Sequence, residues 1–190
     1  MHKHCKHCSL IFADPASHLS NKDEKARYEE HNNGIQYPGY VRFINQAIEP
    51  ALPCLSTKMH GLDYGCGPGP ALSILLRRKG ISCDDYDPFF FPLKLSPPYD
   101  FIFATEVFEH FNQPGREIEK LVNLLHPGSY LIIMTILWKD LHDFPTWFYA
   151  KDPTHISFFH ENTIRFIGER YGFDRLPVRN KRVNILRKQL

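Results

Sequence analysis

The chain has 190 residues, 43% of them hydrophobic and 23% charged, which suits a globular protein with one sizeable core. A net charge of +2 gives no general bias toward nucleic acid or a membrane surface. The longest apolar run, "YLIIMTILW", is far shorter than the about 20 residues needed to cross a bilayer.

Residues 1–20 form a head in which Cys5 and Cys8 stand among histidines, followed by the turn-like "ADPASHLS". No apolar stretch marks "MHKHCKHC" as a secretory leader, and five cysteines without framework spacing suit a reducing compartment; the expected location is cytoplasmic. Ser20 caps a charged helical run, "NKDEKARYEEH", with Asp23 three residues on as its capping partner. "HNNGIQYPG" breaks it. A second helix over Tyr40 to Ile48 puts Val41, Ile44 and Ile48 on one face. Residues 21–58 thus read as a helical cap and 59–190 as the core of one structural domain.

From Met59 the chain alternates strand and helix. "MHGLDY" reads as a strand and "PALSILLRRKG" as a helix closed by Gly80. "ISCDDYD" is a second strand, and "YDFIFAT" a third, apolar enough to be central. "GREIEKLVNLL" is amphipathic, with Ile118, Leu121, Val122 and Leu125 on one side. "HPG" turns into the β-branched "SYLIIMTIL", "ENTIRFIGERYG" is a last helix, and "FDRLPV" and "VNILRK" pair antiparallel. The predicted fold is α/β: a mostly parallel sheet with an antiparallel closing strand and helices on both faces. Such sheets bind ligands beyond the carboxyl ends of their strands.

"LDYGCGPGP" lies at that edge, between the first core strand and its helix. Glycine adopts backbone conformations closed to other residues and has no Cβ to block a ligand, so the loop is either a tight turn or a cradle. Asp87 ends the next strand about 20 residues on, where a carboxylate accepts both hydroxyls of a ribose. No Gly-Lys-Ser/Thr follows, which excludes a Walker loop, and the third glycine of a dinucleotide fingerprint falls at Pro70. Asp63 before the loop disfavours an anion and suits a cation.

"LDYGCGPG", "YDFIFATEVFEHFNQP" and "LLHPGSYLIIMT" resemble, in order and spacing, three motifs of class I S-adenosylmethionine-dependent methyltransferases. The resemblance runs from about Met59 to Thr135, with weaker likeness through "DPTHISFFHENTIRFI" and "YGF". It implies that Gly65, Cys66, Gly67 and Gly69 line the methionine and ribose of S-adenosyl-L-methionine, that Asp87 takes the ribose hydroxyls, and that Asp63 holds the loop and the ammonium end. Thr105 and Glu106 would border the methionine. Only "PFFFPLKLSPP" stands where the family has a helix and a third strand with an adenine contact. That strand is expected to be missing or vestigial, with Phe89 or Phe90 stacking on the ring or packing under the sheet edge.

Methyl transfer requires alignment of the acceptor and exclusion of water, and a base only where the acceptor arrives protonated. His110, Glu106, Glu109 and His155 are the candidate catalytic residues. A substrate lid is expected from Tyr28, His31, Asn32, Tyr37 and Tyr40, and from the segment after the fifth strand, with Trp138, Phe144, Trp147, Phe148, Tyr149, Phe158 and Phe159. These aromatics either line a pocket for a small apolar acceptor or pack the lid onto the body.

Cys5 and Cys8 have the spacing of half a zinc ribbon, but no second pair follows; no metal is expected. The basic tail from Arg175 to Lys188 reads as a charged strand edge rather than a nucleic-acid surface. The function expected is methyl transfer to a small molecule. A protein that binds the cofactor without catalysis is the alternative, and a nicotinamide-dependent oxidoreductase a further one.

Overall fold

The computed structural model describes residues 2–31 and 33–190. The head carries two strands, β1 (His2–His4) and β2 (Ile11–Ala13), which pair antiparallel around the Cys5–Cys8 turn. Three residues each, partly charged, they show no periodicity to read in the sequence. Helix α1 (Asn21–Glu29) starts where its cap predicts: the Ser20 hydroxyl accepts from Asp23 N–H and donates to the Asp23 carboxylate. Helix α2 (Pro38–Ala51) is longer than expected at both ends and buries Ile44, Ala47, Ile48 and Ala51, while Val41 is only half-buried.

The core follows as β3 (His60–Tyr64), α3 (Ala71–Arg77), β4 (Ser82–Tyr86), β5 (Tyr99–Thr105), α4 (Pro114–Leu124), β6 (Leu125–Met134), β7 (Ser157–Phe158), α5 (Glu161–Tyr171), β8 (Phe173–Leu176) and β9 (Val183–Lys188). Six of these strands form one sheet in the order β4-β3-β5-β6-β9-β8. The pairs β3–β4, β3–β5 and β5–β6 are parallel, and β9 runs antiparallel to both its neighbours. No strand lies outside β4 among the described residues, as the shortened segment after Asp87 predicts; the only pairing there is an isolated bridge between Asp87 and Phe91. "HPG" is a bulge inside β6 rather than a turn before it: Leu125 already pairs with Tyr99, and the register resumes at Phe101 and Tyr130.

Alternation along the central strands explains their unbroken apolar runs, because both faces are covered. Ile102, Ala104, Leu131 and Ile133 face α4 and α5, meeting Ile118, Leu121, Ile164 and Ile167. Phe101, Phe103, Ile132 and Met134 face α2 and α3, meeting Ile44, Ile48, Leu72 and Leu76. A third cluster joins Ile11 of the head to Trp138, Phe144, Tyr149 and Phe158 of the segment after β6, where β7 adds to β2. No helix among the described residues is long and apolar enough to cross a membrane.

Candidate functional site

Strands β3, β4 and β5 end side by side at one edge, and the residues leaving them build the site. Gly65 N–H and Cys66 N–H donate to the Tyr86 carbonyl at 2.7 and 3.1 Å, which ties the glycine loop to the end of β4. Gly65 has a φ of +82°, and a Cβ there would come within 2.5 Å of Val107 Cγ2, so only glycine fits. Asp87 fixes the loop from the other side. One carboxylate oxygen accepts from Gly67 N–H at 3.1 Å, and the other from Phe89 N–H and Phe90 N–H at 2.8 and 3.2 Å. Four lone-pair positions on the carboxylate leave room for a further donor.

A cavity of about 570 Å³ opens between this loop and the helical cap. Gly65, Cys66, Gly67, Asp87 and Phe89 line it together with Thr105, Glu106, His110 and His155. Tyr28 and His31 of the α1 region and Tyr40 of α2, expected in a lid, also line it. Asn32 lies outside the described residues. Phe90 is not on the wall; Lys25 Nζ sits 5.5 Å from its ring centre.

Several expected residues fall elsewhere. Gly69 does not line the cavity: a Cβ there would meet the Asn33 carbonyl oxygen at 2.8 Å, so this glycine lets the connection between α1 and α2 close over the loop. Trp138 and Trp147 do not line it either. Trp138 is buried with its indole N–H donating to the Ser9 carbonyl at 3.1 Å, and Trp147 packs on Phe144, Tyr149 and Phe158. None of the seven aromatics of this segment is on the wall, and Tyr37 is exposed instead of covering it. Trp138, Phe144, Trp147, Tyr149 and Phe158 pack the segment onto Ile11 of the head, Phe159 packs in the main core against Phe108, and Phe148 is exposed.

Asp63 is buried behind the loop and makes no side-chain hydrogen bond among the described residues. Burial, with Asp85 and Asp87 nearby, pushes its carboxyl well above the usual carboxylate range. A cation beside it would relieve that cost.

The residues that leave β5 bring titratable groups to the cavity. Glu106 takes a left-handed backbone conformation at φ +52°, a strain that persists only where the surroundings impose it. Its Oε1 and the Thr105 hydroxyl are buried without a partner among the described residues. The Tyr149 hydroxyl lies 2.6 Å from Glu109 Oε1 and 3.1 Å from Glu106 Oε2, and the Thr135 hydroxyl donates to Glu109 Oε2 at 2.9 Å. Burial raises both glutamates, and the charge of Glu109 raises Glu106 further. His110 Nδ1 contacts the Thr154 carbonyl at 2.9 Å, and His155 Nδ1 the Tyr149 carbonyl at 2.7 Å. A carbonyl only accepts, so both Nδ1 atoms carry hydrogen and both Nε2 atoms keep a lone pair. Burial depresses the His110 pKa; burial and then the neighbouring His110 depress that of His155 to about 4.

The sequence reading missed one wall altogether. Tyr64 and Tyr86, in register at the ends of β3 and β4, line the cavity with Glu117 and Lys120 of α4. Lys120 Nζ donates to the Tyr64 hydroxyl at 2.9 Å, which donates to Glu117 at 2.7 Å. Registering the two strands at their last residues is the signal that would have found the tyrosines. In the head, no third His, Cys, Asp or Glu donor joins Cys5 and Cys8 among the described residues.

Residues 11–178 match the family model described as a methyltransferase domain. No curated protein matches the chain. Among solved structures, magnesium protoporphyrin IX methyltransferase from Synechocystis PCC 6803, with bound S-adenosylmethionine, is similar at 16% identity and a TM-score of 0.59, over 90% of this chain and 92% of that one. An S-adenosylmethionine-dependent methyltransferase from Archaeoglobus fulgidus is similar at 23% identity and a TM-score of 0.56, over 70% of this chain and 69% of that one. Another from Methanosarcina mazei gives 21% and 0.52, over 81% and 98%.

Proposed function

The chain belongs to the methyltransferase-domain family, with S-adenosylmethionine as its cofactor, and from that premise we propose that it methylates a small molecule bound at the His110–His155 end of the cavity. The observation that carries this reading is the size and continuity of the cavity. At about 570 Å³ it falls within the ~300–1,000 Å³ range of small-molecule sites, and the cofactor must share it with the acceptor. A folded macromolecule would need an open face, whereas α1 and α2 cover this site.

The cofactor brings a sulfonium whose methyl group is electrophilic. The residues present fit it through Asp87, which keeps acceptor capacity for a ribose hydroxyl, whereas Asp63 is not on the cavity wall. Phe89, Tyr64 and Tyr86 supply aromatic wall for the base where the absent strand leaves the edge open. His110, His155 and Glu106 line the part of the cavity assigned to the acceptor. These orient a group carrying O–H or N–H and exclude water from it.

Protein incubated with methyl-labelled S-adenosylmethionine and a deproteinised cell extract should transfer label into the small-molecule fraction. Label appearing only in protein or nucleic acid, when those fractions are supplied instead, would overturn the small-acceptor reading.

A further inference from the structure

Three donor groups at the acceptor end converge more closely than alignment of an acceptor requires. One oxygen of Glu109 and one ring nitrogen each of His110 and His155 all lie within 4.8 Å of one another. We propose that Glu109, His110 and His155 bind a divalent cation of the zinc or manganese class, where the sequence alone predicts no metal.

Four observations support the site. The first is spacing. Donors about 2.0–2.2 Å from a shared ion stand about 3–4 Å apart, within reach of small side-chain rotations from the arrangement seen. The second is the pre-set tautomer. Both histidines spend Nδ1–H on a main-chain carbonyl, which leaves Nε2 as the free lone pair; this is the outer-shell bond that metal-binding histidines make. The third is that Glu109 is itself fixed, by the hydroxyls of Tyr149 and Thr135.

The fourth observation is charge. Glu109 is fully buried and Glu106 lies beside it, yet no lysine or arginine forms an ion pair with either among the described residues. Paired buried acids need a cation or a proton between them. Glu106 shares the Tyr149 hydroxyl with Glu109 and has an unpartnered buried Oε1, but it stands outside the group of three donors. Two neutral imidazoles with a carboxylate suit borderline ions better than magnesium or calcium. His110, His155 and Glu106 also line the cavity, so an open coordination position would face the acceptor and hold an oxygen of it. That last role rests on the methyltransferase reading; binding of the ion does not.

The test is metal retention by tag-free protein. After incubation with Zn²⁺ or Mn²⁺ and desalting, elemental analysis should find about one equivalent per chain. His110→Asn and His155→Asn keep an amide N–H for the main-chain carbonyl but lack Nε2, and each should lower retention at least about tenfold. A Cys5→Ser/Cys8→Ser variant, which removes the thiol pair of the head, should retain the full amount. Cobalt in the wild-type protein gives a second readout that needs no variant: weak visible bands without thiolate charge transfer are expected. Metal absent from wild-type protein, unchanged in the histidine variants, or showing a thiolate band would overturn the proposal. S-adenosylhomocysteine titrated into the same samples keeps the two readings apart. Binding without retained metal refutes only the ion, and retained metal without binding refutes only the methyltransferase reading.

Discussion

Asp87→Ala should weaken S-adenosylhomocysteine binding about 30- to 150-fold. A carboxylate accepting ribose hydroxyls makes charge-assisted hydrogen bonds, each contributing about 1.5–3 kcal/mol, and water recovers part of that in an open cleft. A net loss of about 2–3 kcal/mol corresponds to the stated range. The same carboxylate holds the N–H groups of Gly67, Phe89 and Phe90, so the variant also loosens the loop that shapes the cofactor end. Asp84→Ala is the control. Its carboxylate contacts His60 at 3.0 Å and Tyr99 at 3.2 Å, away from the cavity, and affinity should stay within about twofold. Calorimetric titration of both variants decides the matter; wild-type affinity in Asp87→Ala would mean that the ribose lies elsewhere.

Phe158→Ala should destabilise the protein by about 3–5 kcal/mol while leaving cofactor affinity unchanged. Its ring is 1% exposed and sits edge-on to Phe144 at 5.0 Å and to His2 at 5.5 Å, at the point where β7 joins the head. Removing it opens a hole in the third cluster that its rigid aromatic neighbours cannot fill. Urea unfolding measures the loss. Unchanged stability together with lost turnover would return these aromatics to the substrate pocket.

Those rings show where the sequence stops being informative. Aromatic content after β6 was compatible with a pocket or a core, and the choice depends on the pairing of β2 with β7 across some 145 residues, which no local pattern encodes. The sheet was legible for the opposite reason. Its central strands are buried on both faces, so their apolar runs, and the glycine loop with Asp87 about 20 residues on, are local signals. The missing outer strand was legible because "PFFFPLKLSPP" is too short and too rich in proline to supply both a helix and a central strand. Gly69 and the tyrosine wall were not. The role of Gly69 is set by the main chain of Asn33, and that of Tyr64 and Tyr86 by their register and by Lys120 of α4. Glu106, Glu109, His110 and His155 were visible as chemistry in "TEVFEHF" and "DPTHISFF"; that Glu109, His110 and His155 converge within 4.8 Å was not.

The most direct measurement compares thermal unfolding of the wild-type protein with S-adenosylhomocysteine and with NADH. A ligand that binds only the folded state at a hundredfold its dissociation constant stabilises by about 2.7 kcal/mol, a rise in Tm of about 5–10 °C for a chain of this size. S-adenosylhomocysteine should produce that rise and NADH none. A rise with NADH and none with S-adenosylhomocysteine would show that the crevice at the glycine loop and Asp87 holds a nicotinamide cofactor instead of the methyl donor.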